Sequence, residues 1–442
     1  MKNILVIGSG RSAVTLIKYL LENSVKNDWK VTVADFSLDS ALDAVDNNVN
    51  GRAILFNVED ELQRSKEIKG SDIVISMLPA SLHVTVAKDC IKFKKNLVTA
   101  SYVSNEIAAL NDAAKNAGVL LLNEIGLDPG IDHMSAMKVI DDIKDEGGEI
   151  TSFKSYCGGL VHPDYDDNPW NYKFTWNPRN VVLAGQGTAQ YIESNSYKYI
   201  TYTKLFERTD IVSVLDAGEF EGYANRDSLS YRKSYGLQNI STLFRGTLRR
   251  RGYSEAWNIF VRLGVTDDSY KVESSNTLTY RDFINMFLPC DSSVTVEEKL
   301  CKEFNLSINS TIFKKLEWLG IFSEKKVIVK NASPAQILQS ILEDKWSLGD
   351  NDKDMIVMQH QFEYVYKNTK KKLYSSLIVF GDTPRFTSMA KTVGLPVAIA
   401  TKLILEGKIN EKGVKIPTSK EIYIPVLKEL SENGINFVEE LV

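Results

Sequence analysis

The chain has 442 residues, with 53 Lys and Arg against 57 Asp and Glu and a formal net charge of −4 at pH 7. At about 150 residues per domain, this length predicts about three domains. The 43% hydrophobic and 25% charged residues are typical of a globular protein and exclude a disordered or collagen-like chain. The slight acidity argues against nucleic acid as a partner, because proteins that bind phosphate backbones carry a surplus of positive charge.

Nothing in the sequence predicts a membrane segment or a metal site. The apolar run at residues 4–7 is too short for a secretory signal, and no uncharged apolar run reaches the roughly 18 residues that cross a membrane. The 4 cysteines form no C-x-x-C pair and the 4 histidines are scattered, which predicts neither a disulfide framework nor a bound metal. We therefore expect a cytoplasmic protein that contacts no membrane.

The first 130 residues alternate short apolar runs with amphipathic stretches, the pattern of a parallel sheet covered by helices. Each apolar run is short enough to be a strand buried on both faces. The predicted strands lie at residues 4–7, 30–34, 53–58, 72–76, 97–100 and 119–123. This part of the chain predicts an α/β fold with a doubly wound parallel sheet of the Rossmann type.

The pattern changes near residue 149. Alternating aromatic segments at 198–202 and 220–223 predict an antiparallel or mixed sheet, and residues 354–366 and 372–380 predict a hairpin. Helical spacing predicts helices at 294–304, 311–319, 334–342, 387–405 and 424–433. We predict three interwoven domains: a Rossmann domain (1–130 plus 388–442), an α/β substrate-binding and dimerisation domain (131–280 plus 350–387) and a small all-helical insert (281–349).

The first predicted strand runs into Gly8-Ser9-Gly10-Arg11-Ser12-Ala13, a G-x-G-x-x-A motif that opens a helix. Gly8 permits a tight turn, Gly10 lets a pyrophosphate approach the backbone, and the helix N-terminus supplies amide donors. Because a strand precedes the motif and a helix follows it, we predict a dinucleotide site rather than a turn with only a structural role.

Asp35 ends the second predicted strand, where a carboxylate can accept both ribose hydroxyls of NAD and repel the 2′-phosphate of NADP. The alternative is a solvated aspartate at a strand end. Asn57, Ser76 and Met77 follow the third and fourth strands and are predicted to line the same crevice. We expect NAD as the cofactor, with NADP as the alternative.

Two further strand ends carry hydroxyl and carboxyl groups. Residues 96–102 read N-L-V-T-A-S-Y, and residues 123–133 read N-E-I-G-L-D-P-G-I-D-H. The segment S-Y-C-G-G-L follows at 155–160, and arginines stand at 225–228 and 245–249. With these motifs, nearly the whole chain resembles the saccharopine dehydrogenase family of the glutamate-forming type, also called saccharopine reductase.

The resemblance implies oxidation of saccharopine to glutamate and α-aminoadipate semialdehyde with reduction of a nicotinamide cofactor. It implies that Asp128, Tyr102 and Cys157 surround the reacting nitrogen. The three carboxylates of saccharopine suit forked guanidinium donors, which Arg226 and Arg245 supply, with Lys173 as a third cation. Further implied contacts are to substrate from Ser101, Gly246 and Thr247, and to cofactor from Ser9, Arg11, Ser12, Ala100, Ser101, Leu127 and Asp128.

The chain also departs from the resemblance. Asp35-Phe36 stands where fungal members have a Cys-Arg pair that suits a 2′-phosphate, so NADP use is not carried over. We interpret the run Arg249-Arg250-Arg251 as a solvated turn. Cys157 also fits a small buried core residue, and His133 fits a hydrogen-bonded histidine just inside a helix.

Two other functions remain open from the sequence. One is a related imine-reducing enzyme, such as a carboxyspermidine-type dehydrogenase. The other is a nucleotide-binding sensor that has kept the fold and lost the chemistry. The resemblance also favours a homodimer that acts on a small-molecule substrate.

Overall fold

The structure is a computed structural model that describes all 442 residues, and the chain folds into two compact units. Unit 1 comprises Met1–Glu149 and Val379–Val438, and unit 2 comprises Ile150–Ile378 and Glu439–Val442. The chain thus leaves unit 1 at Ile150, returns to it at Val379 and ends in unit 2 with Glu439–Val442. The finer division into three domains stays a prediction.

The strands are β1 (Lys2–Ile7), β2 (Trp29–Asp35), β3 (Gly51–Leu55), β4 (Ile73–Ser76), β5 (Asn96–Val98), β6 (Leu120–Leu122), β7 (Glu149–Val161), β8 (Ala189–Glu193), β9 (Ser196–Ile200), β10 (Thr209–Ser213), β11 (Glu219–Ala224), β12 (Thr242–Arg250), β13 (Asp354–Tyr366), β14 (Thr369–Phe380), β15 (Gly413–Lys415) and β16 (Val438–Leu441).

The helices are α1 (Val14–Glu22), α2 (Ser24–Asn27), α3 (Leu38–Val45), α4 (Glu61–Gly70), α5 (His83–Lys92), α6 (Asn105–Ala108), α7 (Asn111–Ala117), α8 (Ile131–Asp145), α9 (Pro178–Val182), α10 (Tyr202–Leu205), α11 (Tyr231–Ser234), α12 (Tyr253–Leu263), α13 (Tyr280–Asn285), α14 (Val296–Phe304), α15 (Thr311–Trp318), α16 (Pro334–Trp346), α17 (Ser388–Leu405) and α18 (Lys420–Glu432).

Unit 1 is built on a seven-stranded sheet in the order β15-β6-β5-β4-β1-β2-β3. All its neighbouring strands are parallel, which confirms the six predicted strands and the Rossmann order. The strand that the sequence did not predict is β15, whose 3 residues are too few for a periodic signal. The order reverses between β1 and β4, so ligands are expected at the carboxyl ends of those strands.

Helix α17 packs closely on α1, the helix that follows the glycine motif. A Cβ atom on Gly394 would lie 2.8 Å from the Leu16 backbone nitrogen, so only glycine fits at this contact. By length and composition alone α17 could cross a membrane, but 78% of it is buried inside the protein. Core helices of soluble proteins meet the same criterion, and burial is what the close contact with α1 requires.

Unit 2 is built on a mixed sheet in the order β10-β11-β12-β7-β13-β14-β16, with β8 and β9 joined through β12. Strands β7 and β12 are parallel, while β10, β11 and β12 are antiparallel, which confirms the predicted mixed character. The hairpin β13–β14 turns at Lys367 and Asn368, both with positive φ, as a two-residue turn of type I′ requires.

The helices between Tyr280 and Trp346 share one hydrophobic core with this sheet. Phe283, Leu316 and Trp346 lie in the same buried cluster as Phe220 of β11 and Leu248 of β12. The structure therefore groups this helical segment with unit 2.

The interpretation of Arg249-Arg250-Arg251 as a solvated turn is wrong for Arg249, which lies within β12 and is only 3% exposed. Its guanidinium carbon lies 4.9 Å from the ring centroid of Tyr172 and 5.4 Å from that of Tyr253. Cation–π contacts of this kind stabilise a buried charge. Only Arg251 is exposed as expected, and it pairs with Glu219 at 2.8 Å.

Candidate active site

The glycine motif forms a turn at the carboxyl end of β1. Gly8 has φ +100°, and a Cβ there would lie 3.0 Å from the Met77 carbonyl oxygen, so only glycine suits the position. A Cβ on Gly10, in contrast, would meet no protein atom within 4 Å. The packing of the protein does not require glycine there, whereas a pyrophosphate lying against the backbone would. The motif therefore fits a dinucleotide.

The carboxylate of Asp35 is held at the end of β2. Oδ2 accepts from the amide of Ser9 at 2.7 Å and from its hydroxyl at 2.8 Å, and Oδ1 accepts from the Ser37 amide at 2.9 Å. No lysine or arginine pairs with it. Because each carboxylate oxygen has two lone pairs, Oδ1 can still accept one ribose hydroxyl, and the charge of Asp35 opposes a 2′-phosphate.

A histidine links the ends of β4 and β5. His83 Nδ1 lies 2.8 Å from Ser76 Oγ, and His83 Nε2 lies 2.7 Å from Ser101 Oγ. Thr99 Oγ1 lies farther away, 3.5 Å from Nε2. Burial lowers the pKa of His83 to about 4, so its imidazole is neutral at neutral pH.

The loops after β5 and β6 bring Tyr102 and Asp128 together. The Tyr102 hydroxyl donates to Asp128 Oδ1 at 3.3 Å. From residue 119 to residue 137 every residue is buried except Asp128. This carboxylate is therefore the one polar group of the stretch that remains partly accessible, as a residue that meets a ligand must be. The Asp128–Pro129 peptide bond is cis.

Glu124 supports these two loops from beneath. Its Oε1 accepts from the Val103 amide at 2.9 Å, and its Oε2 lies 2.9 Å from His133 Nε2. Glu124 is 4% exposed and His133 is fully buried. The interpretation of His133 as a hydrogen-bonded histidine just inside a helix is confirmed, since α8 begins at Ile131.

In unit 2, strands β7 and β12 carry a second group of predicted site residues. Cys157 of β7 pairs in register with Thr247 of β12. Arg245 and Gly246 directly precede Thr247 on β12. Cys157 is 7% exposed and Arg245 is 3% exposed. The Arg245 guanidinium carbon lies 4.5 Å from the ring centroid of Tyr231, a cation–π contact that restricts the position of the group.

Arg226 lies beside Arg245 in the chain fold. The neighbouring Asn225 amide donates to the Arg245 carbonyl at 2.8 Å. Arg226 has φ +48°, a left-handed conformation that costs a residue other than glycine free energy and occurs often at functional sites. Its side chain is exposed, so unit 2 places an accessible arginine next to a buried one.

The surroundings of Lys173 do not suit its predicted role as a third cation for a substrate carboxylate. Its ammonium is 2.8 Å from a carboxylate oxygen of Asp167 and 2.8 Å from one of Asp352, and the residue is 5% exposed. Burial lowers the pKa of Lys173, but the two aspartates outweigh this and raise it. A substrate carboxylate would have to compete with two carboxylates of the protein itself.

The other predicted cofactor residues lie around the same sheet edge. Met77 donates its amide to Ile7, and Ala100 contacts the turn at Gly126. Arg11 is exposed and Ser12 half-buried at the start of the glycine-motif helix, while Leu127 is buried before Asp128. The side chain of Asn57 accepts from the Glu59 amide at 3.0 Å, a local turn contact. No group of three or more His, Cys, Asp and Glu side chains is arranged to hold a metal ion.

Sequence reasoning missed His83 and Glu124. His83 counted only as one of the scattered histidines, although it stands seven residues after Ser76, at the start of the helix that follows a strand end. Glu124 follows a predicted strand of buried residues directly. An ionisable side chain at the carboxyl edge of a parallel sheet was the available signal in both cases.

Comparison with known proteins gives consistent results over the full chain. Residues 4–122 match the family described as the saccharopine dehydrogenase NADP binding domain, and residues 126–435 match the saccharopine dehydrogenase C-terminal domain. The chain is 35% identical over 454 residues to a Schizosaccharomyces pombe protein named saccharopine dehydrogenase (NADP(+), L-glutamate-forming), covering 100% of this chain and 99% of that protein.

Two further relatives extend this result. The chain is 37% identical over 449 residues to the mitochondrial alpha-aminoadipic semialdehyde synthase of Rattus norvegicus, and this match covers 99% of the chain but 47% of that longer protein. The solved structure of apo histidine-tagged saccharopine dehydrogenase (L-Glu forming) from Saccharomyces cerevisiae matches with a TM-score of 0.90 and 34% identity, covering 100% of both chains.

The open space at Gly10 generates a prediction. Gly10→Ala should leave the thermal unfolding midpoint unchanged, because φ is −65° and the added Cβ meets no atom within 4 Å. It should weaken NAD(P)H binding about tenfold or more, since the methyl group occupies the approach of the pyrophosphate. Fluorescence titration with NADH and NADPH measures this, with Gly70→Ala as the control at a glycine that is equally open. Unchanged affinity for both cofactors would contradict the assignment of this loop.

Proposed function

Because the chain belongs to the saccharopine dehydrogenase family, we propose that it catalyses the reversible NAD(P)-dependent oxidation of saccharopine to L-glutamate and α-aminoadipate semialdehyde. The observation that carries the proposal is the match over 100% of the chain to a protein named for this reaction. The Tyr102–Asp128 pair, at the carboxyl edge of a dinucleotide-binding sheet, supports it.

The reaction makes defined demands on the protein. When bound, the cofactor supplies a hydride acceptor for the carbon beside the substrate nitrogen. Water then adds to the C=N bond, and cleavage of the C–N bond leaves an aldehyde and the amine of glutamate. Protons must be taken up and released at the nitrogen and at the added water, which calls for a positioned acid–base group.

Asp128 is the group that suits this task best. It is the partly accessible carboxylate in a buried stretch, and the Tyr102 hydroxyl at 3.3 Å orients one of its oxygens. We assign to Asp128 the orientation of the water and the handling of its proton, with Tyr102 as its hydrogen-bond partner. Cys157 is buried in register with Thr247, which suits a packing role as well as a chemical one.

The arginines of unit 2 suit the carboxylates of saccharopine. The Arg245 guanidinium carbon lies 4.5 Å from the Tyr231 ring centroid. A guanidinium can contact an aromatic ring and still bind a carboxylate through its N–H groups, so the two contacts are compatible. The exposed Arg226 beside it supplies a second forked donor. We assign substrate carboxylates to Arg226 and Arg245 and give Lys173 a structural role, because two aspartates already bind it.

We further propose that the protein is a cytoplasmic homodimer that binds neither nucleic acid nor membranes. The net charge of −4 and the burial of α17 support the last two points. Sheet-rich second units often pair, which supports the dimer, and sedimentation velocity would measure the oligomeric state directly.

The decisive test of the function is the change in absorbance at 340 nm when saccharopine is added with NAD or with NADP. We expect saccharopine-dependent reduction of the cofactor, and its loss in Asp128→Asn, which removes the charge and keeps the size of the side chain. Turnover of a carboxylated polyamine in place of saccharopine would instead identify a related imine-reducing enzyme. Tight NADH binding without turnover of either substrate would identify a sensor.

Asp35 generates a prediction on cofactor choice. We propose that this chain prefers NAD, because the unpaired charge of Asp35 opposes a 2′-phosphate and the exposed Phe36 offers it no cation. Asp35→Asn keeps an acceptor for Ser9 and removes the charge. The substitution should narrow the preference for NAD over NADP by about 1.5–3 kcal/mol. This corresponds to a change of roughly 10- to 150-fold in the ratio of the kcat/KM values for the two cofactors.

The control for this measurement is Asp39→Asn, which removes an exposed charge from the first turn of α3 and should leave the ratio unchanged. An unchanged ratio in Asp35→Asn as well would show that Asp35 acts only in holding Ser9. In that case NADP, the cofactor printed in the names of relatives, would be the expected form.

Arg226 generates a prediction on substrate binding. Arg226→Ala should raise the KM for saccharopine by a factor that corresponds to about 1.5–3 kcal/mol of binding free energy, because a charge-assisted pair is lost. The affinity for NAD(P)H should not change. Steady-state kinetics and cofactor titration measure the two effects, and Arg208→Ala, at an exposed arginine of the same unit, is the control. A loss of cofactor affinity would contradict the assignment and show that Arg226 binds the cofactor rather than saccharopine.

A further inference from the structure

Ser76, His83 and Ser101 form a hydrogen-bonded relay across the carboxyl ends of β4 and β5. Both nitrogens of the imidazole are used, Nδ1 at 2.8 Å from Ser76 Oγ and Nε2 at 2.7 Å from Ser101 Oγ. Ser76 is fully buried and His83 is 3% exposed, while Ser101 is only partly buried. The relay therefore runs from the interior to the edge where the candidate site lies.

The direction of the hydrogen bonds follows from the buried end. A neutral imidazole has one N–H donor and one acceptor nitrogen, so it accepts from one serine and donates to the other. The Ser76 hydroxyl has no hydrogen-bond partner other than His83. If Ser76 accepted from the ring, its own buried hydrogen would have no acceptor, which costs about 1–3 kcal/mol. Ser76 therefore donates to Nδ1, and Nε2–H donates to Ser101.

The protonation state of the ring is consistent with this direction. No carboxylate pairs with His83, and burial lowers its pKa to about 4. The ring is therefore neutral at neutral pH, and the relay keeps one tautomer. Thr99 Oγ1, 3.5 Å from Nε2, is an oxygen that can accept from the same N–H, so it does not oppose the direction.

We propose that His83 is a positioning residue that makes the Ser101 hydroxyl a donor towards an acceptor oxygen of a bound ligand. Because Ser101 accepts from Nε2–H, its own hydrogen points away from the relay. The acceptor is a carboxylate of the amino-acid substrate or the carboxamide oxygen of the nicotinamide. This inference deepens the proposed function and rests on it.

Two amide substitutions separate the two ends of the relay. The side-chain amide of Gln reaches the place of Nε2, and that of Asn reaches the place of Nδ1. His83→Gln can thus still donate to Ser101, whereas His83→Asn can bond only Ser76. Ser101→Ala removes the acceptor of the relay, and the double variant His83→Asn/Ser101→Ala tests whether the two residues act as one.

The experiment measures the dissociation constants of saccharopine by calorimetry and of NADH and NADPH by fluorescence, with thermal unfolding to confirm folding. We expect His83→Asn and Ser101→Ala each to weaken the binding of one ligand about tenfold. The double variant should bind that ligand no more weakly than either single variant does. His83→Gln should stay within about threefold of the unsubstituted protein. The ligand that weakens identifies the acceptor: saccharopine for a carboxylate, the nicotinamide cofactors for a carboxamide.

Other outcomes overturn the inference. Equal losses of ligand affinity in His83→Gln and His83→Asn would show that His83 has a purely structural role. Additive losses of affinity in the double variant, or unchanged affinities for all ligands, would show the same. If the unsubstituted protein does not oxidise saccharopine, the proposed function fails separately. The affinities for NADH and NADPH then test the carboxamide as the acceptor, and the affinity for glutamate tests a carboxylate. Unchanged affinities for all three in His83→Asn reject the relay.

Discussion

The candidate site depends on the backbone contact between the loops that follow β5 and β6. Glu124 donates its amide to Ser101 at 3.0 Å, and its carboxylate accepts from Val103. At Gly126 a Cβ would lie only 2.9 Å from Ala100, so no larger residue fits between the loops. This contact holds Tyr102 near Asp128 and places Ser101 next to His83. A parallel sheet makes it possible, because the carboxyl ends of β5 and β6 meet at one edge.

The polar groups at this edge are arranged in layers of different accessibility. Ser76, His83, Glu124 and His133 are buried and bond to one another or to backbone amides. The residues that would meet ligands, Ser101, Tyr102 and Asp128, are partly accessible and rest on the buried layer. Buried hydrogen bonds restrict the positions of the outer groups, which reduces the entropy cost of binding a ligand in one orientation.

The relatives and the local residues bear on different aspects of the function. Family membership covers the whole chain and points to one reaction, whereas cofactor preference depends on a few side chains at the end of β2. Relatives are named for NADP(+), yet in this chain no lysine or arginine pairs with the carboxylate of Asp35, and the next residue is the exposed Phe36. A single carboxylate can change cofactor choice within a fold because the 2′-phosphate is the only difference between the two dinucleotides.

The sequence by itself determined the parallel sheet, the glycine motif and the strand-end positions of Asp35, Ser101 and Asp128. These follow from local patterns, since a buried strand is a short apolar run and a glycine turn is a short motif. The tertiary structure alone decided the partners of side chains distant in sequence. It placed His83 between two serines, bound Lys173 to two aspartates and buried Arg249 among tyrosines. Such contacts join residues up to 179 positions apart. The local sequence pattern of a strand does not indicate which distant side chains its residues will contact.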